Sequence, residues 1–386
     1  MSERERRTSE RAKRQRTASP RDARGEARGE ARGEAPLEAP PPLPAVTTLG
    51  NGKALRWRRE QSSPSYNHFE VDVQCLDDLL ALDDHYTSGA VPKDQSCNVP
   101  FARIHRLAPT LRKLAAMVGL EAVKTQILSI VVYFLQSFER KNQDMLHTVV
   151  YGGPGVGKTR LVELLAELYA ALGVLPENKV TVAKRADLVG QYLGHTAIKT
   201  KKLLEGAAGG VLLIDEAYSL GDKEQRDSFS RECIDTLNQF LSERKAELVC
   251  IVAGYREDLE ERFFKSNPGL ERRFPFRIAI DAYTAAQLRD IFVQIVEARG
   301  WRVRPDAAPV QLFEAHRDHF RFNGGDMETL FTKTKFLHSL RVFGGGGAEK
   351  GCLSRADMEA GLHAFLDNDR AREREEFKTL VAHMYV

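Results

Sequence analysis

The chain has 386 residues, 42% hydrophobic and 29% charged, enough apolar material for a sizeable core and enough length for two or three ordinary domains. Its net charge is +3, and the first sixteen residues alone hold seven Lys/Arg against three Glu, so the remainder is near neutral and a large nucleic-acid-binding face is not favoured. Cys75, Cys97, Cys233, Cys250 and Cys352 show no metal or Cys-x-x-Cys spacing and read as reduced thiols, and the longest apolar run, Ile127 to Leu135, is too short to span a bilayer. A cytoplasmic protein with no membrane partner is expected.

Residues 1–48 combine an Ala-Arg-Gly-Glu repeat from Ala23 to Ala35 with a Pro-rich run through Pro44. No apolar face offsets the entropy of ordering them, so a disordered basic and Pro-rich tail is expected. Within it, Lys13-Arg14-Gln15-Arg16 reads either as a nuclear address or as a solvated charge run. Residues 49–105 form an extension whose one legible element is a short helix at Cys75 to Leu82, docked on the body. Helical spacing returns at Leu107 to Met117, and Gly119-Leu120 punctuates it before a second helix from Glu121 to about Glu139.

Leu146 to Tyr151 then reads as a β-branched strand. It leads into Gly152-Gly153-Pro154-Gly155-Val156-Gly157-Lys158-Thr159, which fits the pattern of Gly, four free positions and Gly-Lys-Thr. Leu161, Val162, Leu165, Leu168, Tyr169 and Leu172 follow at helical spacing, so strand, loop and helix come in the order a phosphate-binding loop requires. The glycines let backbone N–H groups turn toward phosphate oxygens, the helix N-terminus adds its positive dipole end, and Lys158 reaches the β- and γ-phosphates. Thr159 is left to ligate Mg²⁺, and the nucleotide-contacting run is expected to extend through Arg160.

Val211 to Glu216 is an apolar run ending in two acids, the pattern of a buried parallel strand. Ligands of open α/β sheets sit beyond the carboxyl ends of the strands, which directs Asp215 and Glu216 to the crevice of Lys158. There Asp215 serves the Mg²⁺ shell, and Glu216 orients and deprotonates the attacking water. A third strand, Leu248 to Ala253, leads to Gly254-Tyr255-Arg256, and a fourth, Phe276 to Ile280, follows Asn267 to Phe274. Periodicity beyond Ile280 predicts four helices, Ala285 to Ala298, Ala307 to Phe320, Met327 to Phe343 and Ser354 to Leu366. Gly344 to Gly347 read as a joint, and Ala371 to Val386 as a charged, then apolar helix.

From Met117 through Ile280 the chain resembles the AAA+ ATPases, and within them the branch of the rubisco activase CbbX and stage V sporulation protein K. The matching stretches are Val118-Gly119-Leu120 with Val123-Lys124, the phosphate loop, Leu188 to Thr196, Gly210 to Leu220, Ile251 to Tyr255 and Asn267 to Phe274. The resemblance implies a three-layer α/β P-loop NTPase core with a parallel sheet over residues 106–281, followed by an all-α helical lid over 282–386. It implies ATP and Mg²⁺ as cofactors, an ATPase activity, a homo-oligomeric ring, expected to be a hexamer, and a protein substrate that the ring remodels. Carried over by position, Gly119 and Leu120 line the adenine pocket, Arg273 is the arginine finger with Arg272 as its neighbouring alternative, and Tyr192-Leu193-Gly194 is the loop that grips a polypeptide in the pore. For Tyr192 the alternative is packing on its own domain.

Two positions depart from the family pattern. Tyr255 stands where many members place the Asn of sensor 1, and Gly325 falls at the sensor-2 arginine, with Arg321 and Lys333 as candidate substitutes. The rival functional readings are a nucleotide-switched assembly or adaptor module with negligible turnover and, behind it, a nucleic-acid motor.

Overall fold

The computed structural model describes residues 46–59, 66–91, 96–138, 144–192, 194–221, 227–343 and 350–367. The tail through residue 45, Leu193, the joint at Gly344 to Gly347 and the C-terminal helix lie outside these residues.

The stretch expected to be tail ends in a strand. β1 (Val46–Thr48), β2 (Ala54–Arg59), β3 (Tyr66–Glu70) and β4 (Ser96–Cys97) form a four-stranded sheet, antiparallel from β1 to β3 and parallel between β3 and β4. Leu49, Leu55 and Phe69 are its buried side chains. Such short, sparsely apolar strands leave almost no alternation to read.

Two helices cover this sheet, α1 (Leu76–Thr87) and α2 (Phe101–Ala115), and α2 runs straight through the boundary expected at residue 106. The start of α1 is pinned by the buried Asp78 carboxylate, which accepts hydrogen bonds from the backbone N–H groups of Gln74 (2.8 Å) and Cys75 (3.0 Å). It also accepts from Lys53 Nζ and Asn51 Nδ2 of the β1–β2 turn, both at 2.7 Å. Leu111 and Leu114 of α2 belong to the same apolar core as Leu161 and Leu165 behind the phosphate loop, so the extension is part of the body.

The main sheet has five parallel strands, β5 (Thr148–Gly152), β6 (Val180–Ala183), β7 (Val211–Ile214), β8 (Val249–Gly254) and β9 (Phe276–Ile280), in the order β6-β7-β8-β5-β9. Four were expected. The fifth, β6, is an edge strand with only Ala183 buried and Val182 half exposed, so it lacks the continuous apolar run that marks β7 and β8. Side chains alternate across β5: Val150 faces the core shared with α3 (Glu121–Leu135) and α4 (Lys158–Leu172), while Val149 and Tyr151 face a second core with α5 (His195–Ala207) and α6 (Ser228–Glu243). The carboxyl ends of β5, β7 and β8 thereby open on one cleft.

The lid begins with α7 (Ala285–Ala298), whose N-terminus carries a reciprocal cap between Thr284 and Gln287. The single helix expected from Ala307 to Phe320 is instead a short helix, Val310–Glu314, and a 3₁₀ turn, Arg317–His319. Pro309 sets the start, and His316 departs from helical geometry (φ −124°, ψ 21°). α8 (Gly324–Arg341) starts three residues earlier than its apolar pattern, and the Asp326 carboxylate in its first turn accepts the Phe322 N–H at 2.6 Å, tying the turn to the chain before it. β10 (Arg302–Val303), which follows α7, and β11 (Cys352–Leu353), which follows α8, make a parallel pair too short for periodicity to announce. The last helix among the described residues occupies residues 355–367.

That last helix is locked to α8 by Asp357. Its buried carboxylate accepts from Arg341 Nε (2.8 Å) and Nη2 (2.9 Å), lies 3.0 Å from His338 Nδ1, and accepts from the Ser354 N–H (2.9 Å) and hydroxyl (2.7 Å). Burial pushes its pKa up, but the hydrogen bonds from Arg341, His338 and Ser354 outweigh this and hold it well below the ordinary 3.8. A depressed carboxylate stabilises the fold above its unfolded pKa, and that contribution is lost as pH falls through the folded value. Asp357→Ala should therefore cost about 3 kcal/mol in urea unfolding at pH 7, by stranding buried donors. The difference from wild type should shrink as the pH drops below 3.8; a difference independent of pH would show that cavity formation alone is responsible.

Candidate functional site

The loop between β5 and α4 is shaped by two left-handed glycines, Gly155 (φ 69°) and Gly157 (φ 87°). At Gly155 a Cβ would lie 1.9 Å from the Phe322 carbonyl oxygen, because the lid backbone rests directly on the loop. Lys158 opens α4 and bends back over the loop, its Nζ donating to the carbonyls of Gly152 (3.0 Å) and Gly153 (2.7 Å). Burial lowers its pKa from 10.5, while the charges of Asp215 and Glu216 pull it the other way. Thr159 and Arg160 are exposed on the next turn, with Arg160 paired to Glu163 at 3.0 Å.

Asp215 follows β7 and continues its ladder, its N–H donating to the Ala183 carbonyl at 3.0 Å. The chain then breaks sharply: Glu216 is left-handed (φ 53°, ψ 41°), its N–H donates to Asp215 Oδ1 at 3.1 Å, and its side chain is exposed. A non-glycine residue in this conformation stores strain of order 1–3 kcal/mol, which marks a position whose aim matters more than its ease. Lys158, Thr159, Arg160, Asp215 and Glu216 line one cleft of about 950 Å³, at the upper end of the range for small-molecule sites.

The far end of this cleft is apolar. Met117 and Val118 form one side, and Ile291, Ile295 and Ala298 of α7 the other, with Gln294 Nε2 bonded to the Ala116 carbonyl at 2.9 Å. The expected pair Gly119 and Leu120 is not on this wall. Both are left-handed (φ 66° and 64°) and turn the chain into α3, with Gly119 so close to α7 that a Cβ would meet Gln287 Nε2 at 2.6 Å. The wall residues therefore sit two positions earlier. The phosphate-loop run also divides: Pro154, Gly155, Gly157, Lys158, Thr159 and Arg160 line the cleft, whereas Gly152 and Gly153 stand behind as acceptors for Lys158. Val156 is buried and accepts from the Tyr283 hydroxyl at 2.9 Å.

Two tyrosines complete the acid side. Tyr218 lies across Gly254, where a Cβ would come within 2.9 Å of its ring, and its centroid is 6.1 Å from that of Tyr255 on the cleft wall. Burial and then the Glu216 charge raise the Tyr218 pKa, so its hydroxyl stays a proton donor at neutral pH. From the lid, Gly324, Gly325 and Glu328 reach the cleft, and neither Arg321 nor Lys333 lines it. Sequence reading missed Tyr283, which follows β9 at the entry to the lid. Its only local signal was an aromatic residue at the domain junction.

Arg273 and Tyr192 lie away from this cleft. Arg273 is folded onto its own domain, Nε bonding the Ser242 hydroxyl and Nη1 the Gly269 carbonyl, both at 2.9 Å, and Arg272 beside it is exposed. Tyr192 is 66% exposed, with an edge-on contact to His195 at 5.6 Å, and the left-handed Gly194 (φ 80°) starts α5. The base of that loop is held by the Gly190 N–H on Thr196 Oγ1 and by Lys199 Nζ on the Val189 carbonyl, each at 3.0 Å.

Residues 148–281 match the family described as ATPase family associated with various cellular activities (AAA). A CfxQ-like protein of Acanthamoeba polyphaga mimivirus is 37% identical over 286 residues, which make up 73% of this chain and 70% of the relative. Stage V sporulation protein K of Bacillus subtilis is 36% identical over 202 residues, 51% of this chain and 62% of the relative. The chloroplastic ribulose bisphosphate carboxylase/oxygenase activase of Cyanidioschyzon merolae is 33% identical over 252 residues, 63% of this chain and 84% of the relative. With the mimiviral protein aligned over more than two thirds of its length, the chain belongs to the AAA ATPase family, in the branch of CbbX and stage V sporulation protein K.

Proposed function

We propose that this chain binds Mg-ATP, hydrolyses it, and works as a subunit of a homo-oligomeric ring, expected to be a hexamer, that remodels a protein partner. The observation that carries this reading is the convergence of Lys158, Thr159, Asp215 and Glu216 on one cleft, closed on its other side by the lid. The donors suit the cofactor: Mg²⁺ is held by one or two protein oxygens together with phosphate oxygens, and Thr159 and Asp215 supply such a pair. Bound there, the ion would neutralise charge on the β- and γ-phosphate oxygens.

The chain's own groups account for the rest. Lys158 exchanges the Gly152 and Gly153 carbonyls for phosphate oxygens, a short swing for an ammonium already half desolvated beside the loop. Glu216, aimed into the cleft by its left-handed backbone, takes the proton of the attacking water. Tyr218 offers a neutral hydroxyl donor beside it, and Tyr255 stands in the place of an Asn. Met117, Val118, Ile291 and Ile295 give the base an apolar slot. Arg273, tied down in its own subunit, completes the cleft of a neighbour, and Tyr192 at the tip of an anchored loop grips the polypeptide. The relatives named as an activase and as a sporulation protein support action on other proteins. One feature favours the slower, switched-module reading: the lid brings Gly325 and the Glu328 carboxylate to the cleft where the family pattern places an arginine.

Lys158→Ala should lose ATP binding in a nucleotide titration, whereas Glu216→Gln should bind normally and release phosphate at least about 100-fold more slowly. Near wild-type turnover in Glu216→Gln would place the base elsewhere. For the ring, Arg273→Ala should bind ATP yet hydrolyse it about 10³-fold more slowly, as removal of a finger does. Mixing it with Lys158→Ala should restore part of the activity, since some interfaces then join an intact Arg273 to an intact Lys158. A co-assembled but inactive mixture would refute the trans arrangement, and loss in Arg272→Ala alone would shift the finger by one residue. Tyr192→Ala should leave ATPase and assembly intact while abolishing work on the partner; an equal fall in ATPase would give the ring a structural role.

A further inference from the structure

A polar cluster joins four elements on the face of the sheet opposite α4. Tyr151, buried and one residue before the phosphate loop, donates its hydroxyl to Glu260. Arg277 of β9, in register with Val149 of β5, donates Nη1 to Glu260 Oε1 at 2.6 Å and to the Tyr151 hydroxyl at 3.1 Å. Its other terminal nitrogen, Nη2, bonds Glu271 Oε1 at 3.0 Å, and its guanidinium lies 5.3 Å from the Phe264 ring centre. Arg256, next to Tyr255 on the cleft wall, stacks over the Tyr151 ring at 4.5 Å. Glu260 is presented by a π-helical turn, Leu259–Phe264, whose wider winding lets Leu259, Phe263 and Phe264 all be buried. Such turns recur where a side chain is re-aimed for function. Glu271 ends the short helix Pro268–Glu271, and Arg272 and Arg273 follow it directly.

The stability this cluster contributes is small. Arg277 and Glu260 are about one third exposed and Glu271 about two thirds, and ion pairs of that exposure are worth about 0–1 kcal/mol. Its content is geometric: one planar fork spans two carboxylates on two different elements, which a lysine cannot do. Burial and the bond to Glu260 raise the Tyr151 pKa to about 12, so its hydroxyl remains a donor throughout the physiological range.

We propose that Arg277 is a positioning residue for the finger turn: by clamping Glu271 to Glu260 and Tyr151, it sets the arginine lent to the neighbouring subunit in register with this subunit's own phosphate strand. The inference rests on the trans role proposed above for Arg273, and it adds a direction, since the clamp acts through the subunit that donates the finger and not through the one whose cleft is filled.

The test is placement in mixed assemblies of full-length chains. Arg277→Met alone should shift the melting temperature by no more than about 3 °C. It should leave KM for ATP within about twofold and lower kcat about tenfold or more, since a misplacement of order 1 Å costs up to 10²-fold. Added to the Lys158→Ala chain, which donates the finger, it should cut the rescued activity by the same factor. Added to the Arg273→Ala chain, which supplies only the cleft, it should leave the rescue unchanged within about twofold. Arg277→Lys should behave like Arg277→Met. If Arg277→Met does not fold, Glu271→Ala, which removes the acceptor and so cuts only the finger-side bond, should show the same donor-only loss. Equal loss in both placements, or none in the donor, overturns the clamp while the finger in trans stands. Absence of rescue in the parent mixture overturns both.

Discussion

Parallel strands need cover on both faces, and this requirement arranges the whole nucleotide domain. β7 and β8 are buried along their full length, so α3 and α4 must lie on one side of the sheet and α5 and α6 on the other. With both faces of β7 and β8 closed, the polar groups that follow them gather at the strand ends. The carboxyl ends of β5, β7 and β8 deliver, in that order, the phosphate loop, the Asp215-Glu216 pair and Gly254-Tyr255 to the same edge. Three segments of quite different sequence position become neighbours because the strands that carry them are parallel and adjacent.

The lid is tied to that edge by backbone as much as by side chains. The Gly324 N–H donates to the Gly155 carbonyl at 3.0 Å, the Asn323 side chain reaches the Pro154 carbonyl at 3.4 Å, and the Tyr283 hydroxyl holds the Val156 carbonyl. Approach this close requires glycine at 155, and it is accompanied by a strained Asn323 (φ 48°, ψ −113°) at the start of α8. The phosphate loop and the start of α8 are therefore joined directly, and the Asp357 lock joins α8 to the last described helix.

Electrostatics at the site follow from partial burial. Burial lowers the Lys158 pKa, and the charges of Asp215 and Glu216 nearby oppose that shift. Burial raises the Tyr218 pKa, so beside Glu216 its hydroxyl adds a donor without adding charge. Opposite them the lid contributes backbone and the Glu328 carboxylate, while the cationic side chains that line the cleft are Lys113, Lys158 and Arg160.

What was legible from sequence was the chemistry written in contiguous residues. The phosphate loop needs its glycines and Lys158-Thr159 in one run, and Asp215-Glu216 must end an apolar strand, so both carry their spacing with them. The helices α7 and α8 were likewise visible because their apolar faces repeat every turn. Three things waited on the tertiary structure. The apolar wall of the cleft pairs Met117 and Val118 with Ile291 and Ile295, more than 170 residues apart, and no local pattern points from one to the other. The extension joined the main core through Leu111 and Leu114, because strands as short as β1 and β4 have no periodicity and are defined only by what packs on them. The roles of arginines were equally hidden: Arg273 and Arg277 are four residues apart, and only folding ties the first to Ser242 and the second to Glu260, since a long charged side chain takes its meaning from the partner within its reach.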